Sequence, residues 1–307
     1  MLTNLKTILE IGEREGFAIP AFNVYNMESV IGVMEAAKET GAPIIFQMYS
    51  RLFDNRDAAF VAPLILEACK QLPTPACFHL DHGSTITQEM RAIRLGATGV
   101  MIDASAYPLE ENIERTHQIV ELAGACGVSV EGELGHVGTT RDEKVSDYTD
   151  VDEAVRYVKE TGVAALAVMV GTAHGRYVKA PVLDIQRIKD IHEKTGVPLV
   201  LHGGSGVPDE QVRMAVEAGI RKMNFSTDLC YSFVDRIFET DRSNVAIDRF
   251  MIGPTDAIKN YAISTHCNNS CYCNSLFLSS RQLMRLKKSE FIHSDRLQRF
   301  INPCSDF

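Results

Sequence analysis

The sequence lacks the features that would bring it to a membrane or to nucleic acid. None of its 307 residues falls in an apolar run close to the roughly 20 residues that a membrane-spanning helix needs. The N-terminal segment is amphipathic and charged, without the apolar run of a signal peptide. The net charge of −9 gives no basic field for nucleic acid or anionic lipid. We therefore expect a cytoplasmic protein that binds neither, and any phosphate site must be local.

A disulfide framework is not indicated either, although the chain contains 8 cysteines. Four of them stand singly in apolar or helical segments, which predicts buried free thiols. These are Cys69, Cys77, Cys126 and Cys230. The other four follow residue 266, with a spacing that matches no standard zinc finger. These are Cys267, Cys271, Cys273 and Cys304.

What the chain does contain is an alternation of short apolar runs with helical segments, which favours a parallel α/β fold. Eight such runs are strand candidates, and several of the helical segments between them stop at glycine. The predicted strands are Ile19–Val24, Ile44–Met48, Ala76–Leu80, Gly99–Ile102, Ser129–Glu133, Ala165–Val170, Pro198–Leu201 and Lys222–Asn224. This count predicts a (β/α)8 TIM barrel, with the active site at the C-terminal strand ends.

A doubly wound sheet is the alternative fold. It is disfavoured because 21–26 reads Ala-Phe-Asn-Val-Tyr-Asn where that fold carries G-x-G-x-x-G. We expect residues 1–265 to form a single barrel domain and residues 266–307 an atypical, basic, Cys-containing tail. The tail is interpreted as a poorly packed extension, with a metal-binding or partner-binding element as the alternative.

Three histidines, His82, His174 and His202, are each followed by glycine at the end of a predicted strand. A glycine there permits a sharp turn, so that the imidazole faces the mouth of the barrel. Three imidazoles converging at one rim match a catalytic zinc site, which has three protein ligands and an open fourth position.

Carboxylates accompany these histidines. Asp81 precedes the first of them and is the candidate acid/base residue, the alternative being a role in orienting a histidine. Asp103 ends the fourth strand, and Glu131 and Glu133 end the fifth on one face. We interpret these carboxylates as acceptors that fix the histidine tautomers, with an accessory metal site at Asp103 and Glu133 as the alternative.

Phosphate-binding signals lie at the ends of the seventh and eighth strands, where barrels frequently bind phosphate. Backbone amides and short hydroxyl side chains can hold an oxyanion without cationic charge. The predicted phosphate-binding residues are Gly203, Gly204, Ser205, Asn224, Phe225, Ser226 and Thr227. A helix N-cap would explain the glycine-rich segment equally well if it stood alone.

Five ordered segments together resemble the class II fructose-bisphosphate and tagatose-bisphosphate aldolases. The segments are His79–Gly83, Met101–Ser105, Glu131–Gly135, Gly171–Gly175 and Leu201–Gly206. The resemblance runs from residue 1 to about residue 263. It implies cleavage of fructose or tagatose 1,6-bisphosphate to dihydroxyacetone phosphate and glyceraldehyde 3-phosphate.

By this resemblance, the three histidines bind a catalytic Zn²⁺ that stabilises the enediolate of dihydroxyacetone phosphate, and Asp81 moves the hydroxyl proton. An accessory zinc site, a monovalent cation site and a homodimer or homotetramer are further expectations. Three more residues are expected to contact the substrate phosphate or sugar. They are Asn23, Ser50 and Gly175.

The sequence departs from the family pattern at the far end of the substrate. Arg141 stands where the family carries a loop glutamate, so Asp142 or Glu143 is expected to act as the proton donor. Cys230 replaces an arginine that commonly binds the second phosphate. Arg51 is a candidate for binding a distal phosphate or carboxylate, with a surface arginine as the alternative.

Other functions therefore stay open. The same chemistry on a ketose monophosphate or a deoxy-keto sugar acid phosphate is the nearest alternative. A barrel phosphosugar epimerase and an inactive metal-binding relative are the others. A metal hydrolase is disfavoured, because no His-x-His follows the first strand.

Overall fold

A computed structural model of the protein describes residues 1–140 and 148–268. Eight parallel strands pair in chain order, and the last pairs with the first to close a barrel. They are β1 (Ile19–Asn23), β2 (Ile44–Tyr49), β3 (Ala76–Gly83), β4 (Gly99–Ile102), β5 (Ser129–Leu134), β6 (Ala165–Val168), β7 (Leu199–Leu201) and β8 (Ile220–Phe225). The predicted (β/α)8 architecture is thus confirmed, and each predicted strand overlaps an observed one.

Helices surround the barrel and connect consecutive strands. The described helices are α1 (Leu5–Glu15), α2 (Met27–Thr40), α3 (Asp57–Gln71), α4 (Ile86–Arg94), α5 (Leu109–Gly124), α6 (Val151–Thr161), α7 (Ile185–Thr195), α8 (Asp209–Ala218), α9 (Thr227–Glu239), α10 (Ile247–Phe250) and α11 (Ile252–Asn268). Helix α2, which connects β1 to β2, begins with a capping box between Asn26 and Ser29. It ends at Gly41, which has the left-handed conformation. Within the described chain, no helix is long and apolar enough to cross a membrane.

The inward-facing residues of the strands change from apolar to polar along the barrel axis. In β3, Cys77 is part of an apolar cluster with α1, whereas His79 and Asp81 follow on the same side of the strand. The N-terminal helix buries Leu5 and Leu9 in that cluster. The apolar end is therefore closed, and the polar side chains are gathered towards the C-terminal strand ends.

The cysteines confirm the prediction of free thiols for four positions, with one error in their burial. Within residues 1–140 and 148–268, Cys69, Cys77, Cys126 and Cys230 form no disulfide. The first two are buried and the last is partly buried, but Cys126 is exposed because it lies in the turn that follows α5. Cys271, Cys273 and Cys304 lie outside the described residues, as does most of the predicted tail. Its residues 266–268 form the end of α11.

Candidate active site

The C-terminal ends of the strands line a cavity of about 300 Å³, at the lower end of the range for small-molecule sites. The structure brings most of the predicted site residues together around it. Those that line it are Asn23, Arg51, Asp81, His82, Asp103, His174, Gly175, Gly203, Ser205, Asn224, Ser226 and Thr227.

The remaining predicted residues lie elsewhere. His202 and Glu133 are fully buried beneath the cavity. Phe225 packs in the core with its ring 5.5 Å from that of Phe22. Two further predicted residues do not line the cavity. Ser50 begins a short 3-10 turn, and the amide of Gly204 already donates to the Asn224 carbonyl. Asp142 and Glu143, the predicted proton donors, lie outside the described residues.

The three predicted metal ligands converge. One ring nitrogen from each of His82, His174 and His202 lies within 4.8 Å of the others. The ring centroids are 4.6 Å apart for His82 and His202 and 5.0 Å apart for His82 and His174. Strands β3, β6 and β7, or the segments directly after them, thus deliver three imidazoles to one point.

In His82 and in His202, one ring nitrogen contacts a carboxylate and the other faces the point where the three imidazoles converge. His82 Nδ1 lies 2.8 Å from Asp103 Oδ2, and His202 Nε2 lies 3.0 Å from Glu131 Oε1. If both nitrogens donate to these carboxylates, His82 Nε2 and His202 Nδ1 present lone pairs to each other at 3.0 Å. His174 Nε2 is buried without a hydrogen-bond partner among the described residues. A cation between the three rings would satisfy all of these nitrogens, so the donor set fits a divalent metal.

The pKa values of the imidazoles follow from burial and from the carboxylates. Burial lowers the pKa of His174 to about 4 and holds that of His202 well below its ordinary value. Burial also opposes the charged form of His82, but nearby carboxylates, Asp81 first, outweigh it and raise its pKa to about 9. His82 is thus the ring that carries an additional proton, and a bound metal ion would displace that proton.

The backbone at His82 is unusual for a non-glycine residue. Its φ of 52° lies in the left-handed region, at a register shift between β3 and β4 that spans Leu80 to Gly83. A side chain on Gly83 would approach the Met101 carbonyl to 2.8 Å and overlap Glu89. The glycine after the histidine therefore supplies space, while the histidine itself takes the strained conformation.

Asp81 is held by two amides from the neighbouring strands β1 and β8. Asn23 Nδ2 donates to its Oδ2 at 2.7 Å, and Asn224 Nδ2 donates to its Oδ1 at 3.1 Å. Its carboxylate also lies 4.0 Å from His82 Nε2. Because both oxygens accept hydrogen bonds, the arrangement suits an ionised carboxylate poised as a base.

A buried lysine, which the sequence analysis did not single out, connects this carboxylate to a predicted metal ligand. Lys222 Nζ lies 2.8 Å from Asn224 Oδ1 and 2.8 Å from Glu131 Oε2. Glu131 in turn accepts from His202, and Asn224 donates to Asp81. The alternation of β8 could have indicated Lys222, since it stands two residues before Asn224 on the same face.

A second group of possible metal ligands combines His82, Asp103 and Glu133. Burial raises the pKa of Glu133 to about 8, and its Oε2 has no hydrogen-bond partner among the described residues. Burial opposes ionisation of Asp103, but hydrogen bonds from His82 and Ser105 hold its pKa below the ordinary value. This group corresponds to the accessory site expected from the sequence.

The β7 and β8 ends form a side of the cavity rich in backbone and hydroxyl groups. Gly203 has φ of 66°, and a side chain there would overlap the Ala173 carbonyl. Helix α9 begins at Thr227 beside the cavity, and its N-cap Ser226 makes no side-chain capping hydrogen bond. A helix N-terminus next to short hydroxyl groups is a suitable place for a phosphate.

Two tyrosines, which the sequence analysis had not assigned to the site, and one loop complete the lining. Tyr25 shares a 2.7 Å hydrogen bond with Ser226, and the Tyr49 ring lies 5.8 Å from that of His82. Their positions at and just beyond the ends of β1 and β2 could have indicated them. The loop 136–139 after β5 also lines the cavity.

Comparison with known proteins agrees with this geometry. The chain is 38% identical over 235 residues to a sulfofructosephosphate aldolase from Alkalicoccus urumqiensis, covering 75% of this chain and 82% of that protein. It is 40% identical over 234 residues to a 6-phospho-5-dehydro-2-deoxy-D-gluconate aldolase from Halalkalibacterium halodurans, covering 74% and 81%.

Solved structures and the family profile give the same result. The crystal structure of the YdjI aldolase from Escherichia coli K12 superposes with a TM-score of 0.80 at 30% identity, covering 88% of this chain and 98% of that one. Residues 3–270 match the profile of the family described as fructose-bisphosphate aldolase class-II. With barrel, site and relatives in agreement, this chain belongs to the class II fructose-bisphosphate aldolase family.

Proposed function

We propose that the protein is a zinc-dependent aldolase that cleaves a phosphorylated ketose into dihydroxyacetone phosphate and an aldehyde. The observation that carries the proposal is the position of Asp81. Its carboxylate is held by Asn23 and Asn224 beside three histidine nitrogens that face one another. A base next to a Lewis-acid site is the combination that retro-aldol cleavage needs.

In the proposed reaction, Asp81 takes the proton of the substrate hydroxyl at C4. The O–H electron pair forms the carbonyl of the departing aldehyde, and the C3–C4 bond breaks. Its electrons move towards the C2 carbonyl oxygen. The proton donor expected at Asp142 or Glu143 then protonates C3 to give dihydroxyacetone phosphate, and Asp81 returns its proton to solvent. A Zn²⁺ ion held by His82, His174 and His202 would supply Lewis-acid stabilisation of the negative charge on that half.

The surroundings of Asp81 support its role as the base. Its two amide donors come from β1 and β8, so the carboxylate cannot rotate without breaking a hydrogen bond. Its burial, with 4% of the residue exposed, excludes most of the water that would compete for the proton. The hydroxyl and backbone groups at the β7 and β8 ends are proposed to hold the phosphate of the three-carbon half.

An epimerase would need a second free carboxylate across the substrate. Of the cavity carboxylates in residues 1–140 and 148–268, Asp103 is already bonded to His82 and Ser105. Within the same residues, Asp81 accepts hydrogen bonds from two amides and none from a predicted metal ligand, so the cavity offers one base rather than an opposed pair, which favours the aldolase.

The substrates for which the relatives are named differ from the expected bisphosphate in the group at the distal end of the sugar. The two curated relatives are named for a sulfofructose phosphate and for a phosphorylated dehydro-deoxygluconate. We therefore extend the proposal to ketose phosphates that carry a different acid at the far end, beside fructose and tagatose 1,6-bisphosphate.

The test is release of dihydroxyacetone phosphate from a panel of ketose phosphates by the purified full-length protein. Activity should disappear after EDTA treatment, return with Zn²⁺, and be absent from the Asp81→Ala variant. Activity that survives chelation would exclude the metal mechanism. Isomerisation of the ketose without release of a three-carbon product would favour the epimerase, and zinc binding without any turnover would favour an inactive relative.

A further inference from the structure

Arg51 stands out among the cavity residues by its charge, and the following inference rests on the proposed aldolase function. Apart from histidines, it is the single basic side chain among the described residues that line the cavity. Two carboxylates, Asp81 and Asp103, line the same space. Neither they nor any other described carboxylate forms an ion pair with Arg51. The guanidinium therefore has a charge that the described residues leave unpaired.

The guanidinium is held in place by aromatic rings. Its Cζ atom lies 5.3 Å from the centre of the Tyr25 ring and 5.0 Å from the centre of the Tyr49 ring. These distances are within the range of cation–π attraction. Both rings are themselves anchored, the first by its hydrogen bond to Ser226 and the second against His82. Arg51 is thus positioned at the cavity although it is exposed to solvent.

The position of Arg51 differs from that of the proposed phosphate site. It lies in the 3-10 turn Ser50–Leu52 that follows β2, whereas the glycine and hydroxyl groups follow β7 and β8. In the closed barrel, β1 separates β2 from β8. Asn23 at the end of β1 and Tyr25 just beyond it line the cavity between the two places. A substrate phosphate bound at the β7 and β8 ends would thus leave Arg51 for another part of the molecule.

We propose that Arg51 is a specificity-determining residue that binds an anionic group on the aldehyde half of the substrate, at the end opposite the phosphate. The chemistry is that of a phosphate, sulfonate or carboxylate, whose oxygens can accept two parallel hydrogen bonds from a guanidinium. If the far end of the substrate were neutral, the guanidinium would be paired neither with a described carboxylate nor with a substrate anion.

The test uses the condensation direction, with dihydroxyacetone phosphate and three-carbon aldehydes that differ at the far end. The aldehydes carry a terminal phosphate, sulfonate, carboxylate or hydroxyl group. The Arg51→Met variant is expected to lose about 10- to 100-fold in kcat/KM for the preferred anionic aldehyde, the value of a hydrogen bond to a charged group. For the hydroxyl-terminated aldehyde, kcat/KM should change much less. Arg51→Lys keeps the charge but lacks the two parallel N–H donors of the guanidinium, so this variant should show a smaller loss than Arg51→Met.

A matched control is Arg115→Met. Arg115 also lies over a tyrosine, with Cζ 4.1 Å from the Tyr107 ring centre, but it is on α5 outside the cavity. This variant should match the unaltered protein with every aldehyde. Urea unfolding of all three variants separates a loss of anion binding from a loss of structure.

Hydrogen–deuterium exchange at the hydroxymethyl carbon of dihydroxyacetone phosphate distinguishes the two proposals, because it needs no aldehyde. If the unaltered protein shows no exchange, the proposed aldolase function fails. If exchange occurs but Arg51→Met lowers kcat/KM equally for anionic and neutral aldehydes, or for neither, the assignment of Arg51 is overturned while the aldolase stands.

Discussion

Replacement of Lys222 by methionine is a direct test of the buried polar interior of the barrel. The ammonium group has no exposed surface and lies 2.8 Å from both Glu131 Oε2 and Asn224 Oδ1. Methionine has a similar length but no charge, so the change leaves the Glu131 carboxylate without its closest cation. Removing one partner of a buried ion pair typically costs about 3–5 kcal/mol. Because His202 still lies 3.0 Å from Glu131, we expect the lower end, about 3 kcal/mol.

The assay is urea unfolding followed by circular dichroism, with EDTA present so that bound metal does not add stability. The double variant Lys222→Met/Glu131→Gln should be more stable than Lys222→Met alone, since it leaves no unpaired buried charge. The matched control is Lys194→Met, which breaks the ion pair to Asp152 at 3.0 Å between two exposed side chains. That variant should lose far less stability.

The reasoning would be refuted if Lys222→Met cost less than about 1 kcal/mol, the usual worth of an exposed pair. It would also be refuted if the double variant were less stable than the single one. Either result would mean that Glu131 is not held as a charged group by the lysine.

Three further predictions concern catalysis, pH and thiol reactivity. Asp81→Asn should lower kcat by about 10²- to 10⁴-fold, the usual contribution of a general base, while zinc content measured by atomic absorption stays the same. Burial raises the pKa of Glu89 well above its ordinary value. Between the unfolded-state pKa and this raised pKa, only the unfolded chain is ionised, so stability falls as pH rises, by about 1.4 kcal/mol per pH unit. Thermal unfolding of Glu89→Gln should therefore show a gain over the unaltered protein at pH 8 that shrinks at pH 5, and equal gains at both would contradict it. Iodoacetamide labelling with peptide mapping should modify the exposed Cys126 in the native state. Cys69 and Cys77, whose pKa values burial raises to about 12, should be modified only after unfolding.

The sequence predicted the barrel and much of the site because both depend on local patterns. Short apolar runs that alternate with helices ending at glycine are properties of neighbouring residues, and they indicated all eight strands. The three His-Gly pairs stood at strand ends, and parallel strands bring their C-terminal ends to one rim. Convergence of His82, His174 and His202 followed from that rule, and the structure places them together.

Several site features could not be predicted, because they depend on which side chains meet across the barrel. Phe225 is different, because the alternation of β8 is a local pattern that could have indicated its outward position and its packing in the core. The Gly204 amide belongs to a glycine-rich segment, but it is used by the Asn224 carbonyl of the next strand.

The sequence by itself therefore determined the fold, the residue types of the candidate metal site and the strand ends that carry them. Only the tertiary structure decided the details that give those residues their chemistry. The contacts with Asp103 and Glu131 decide which nitrogens of His82 and His202 face each other in the candidate metal site. Lys222 links Glu131 to Asn224, and Tyr25 and Tyr49 orient Arg51. The physical reason is that hydrogen bonds and ring contacts join residues far apart in the chain, and their geometry is set by strand register and barrel closure rather than by spacing in sequence.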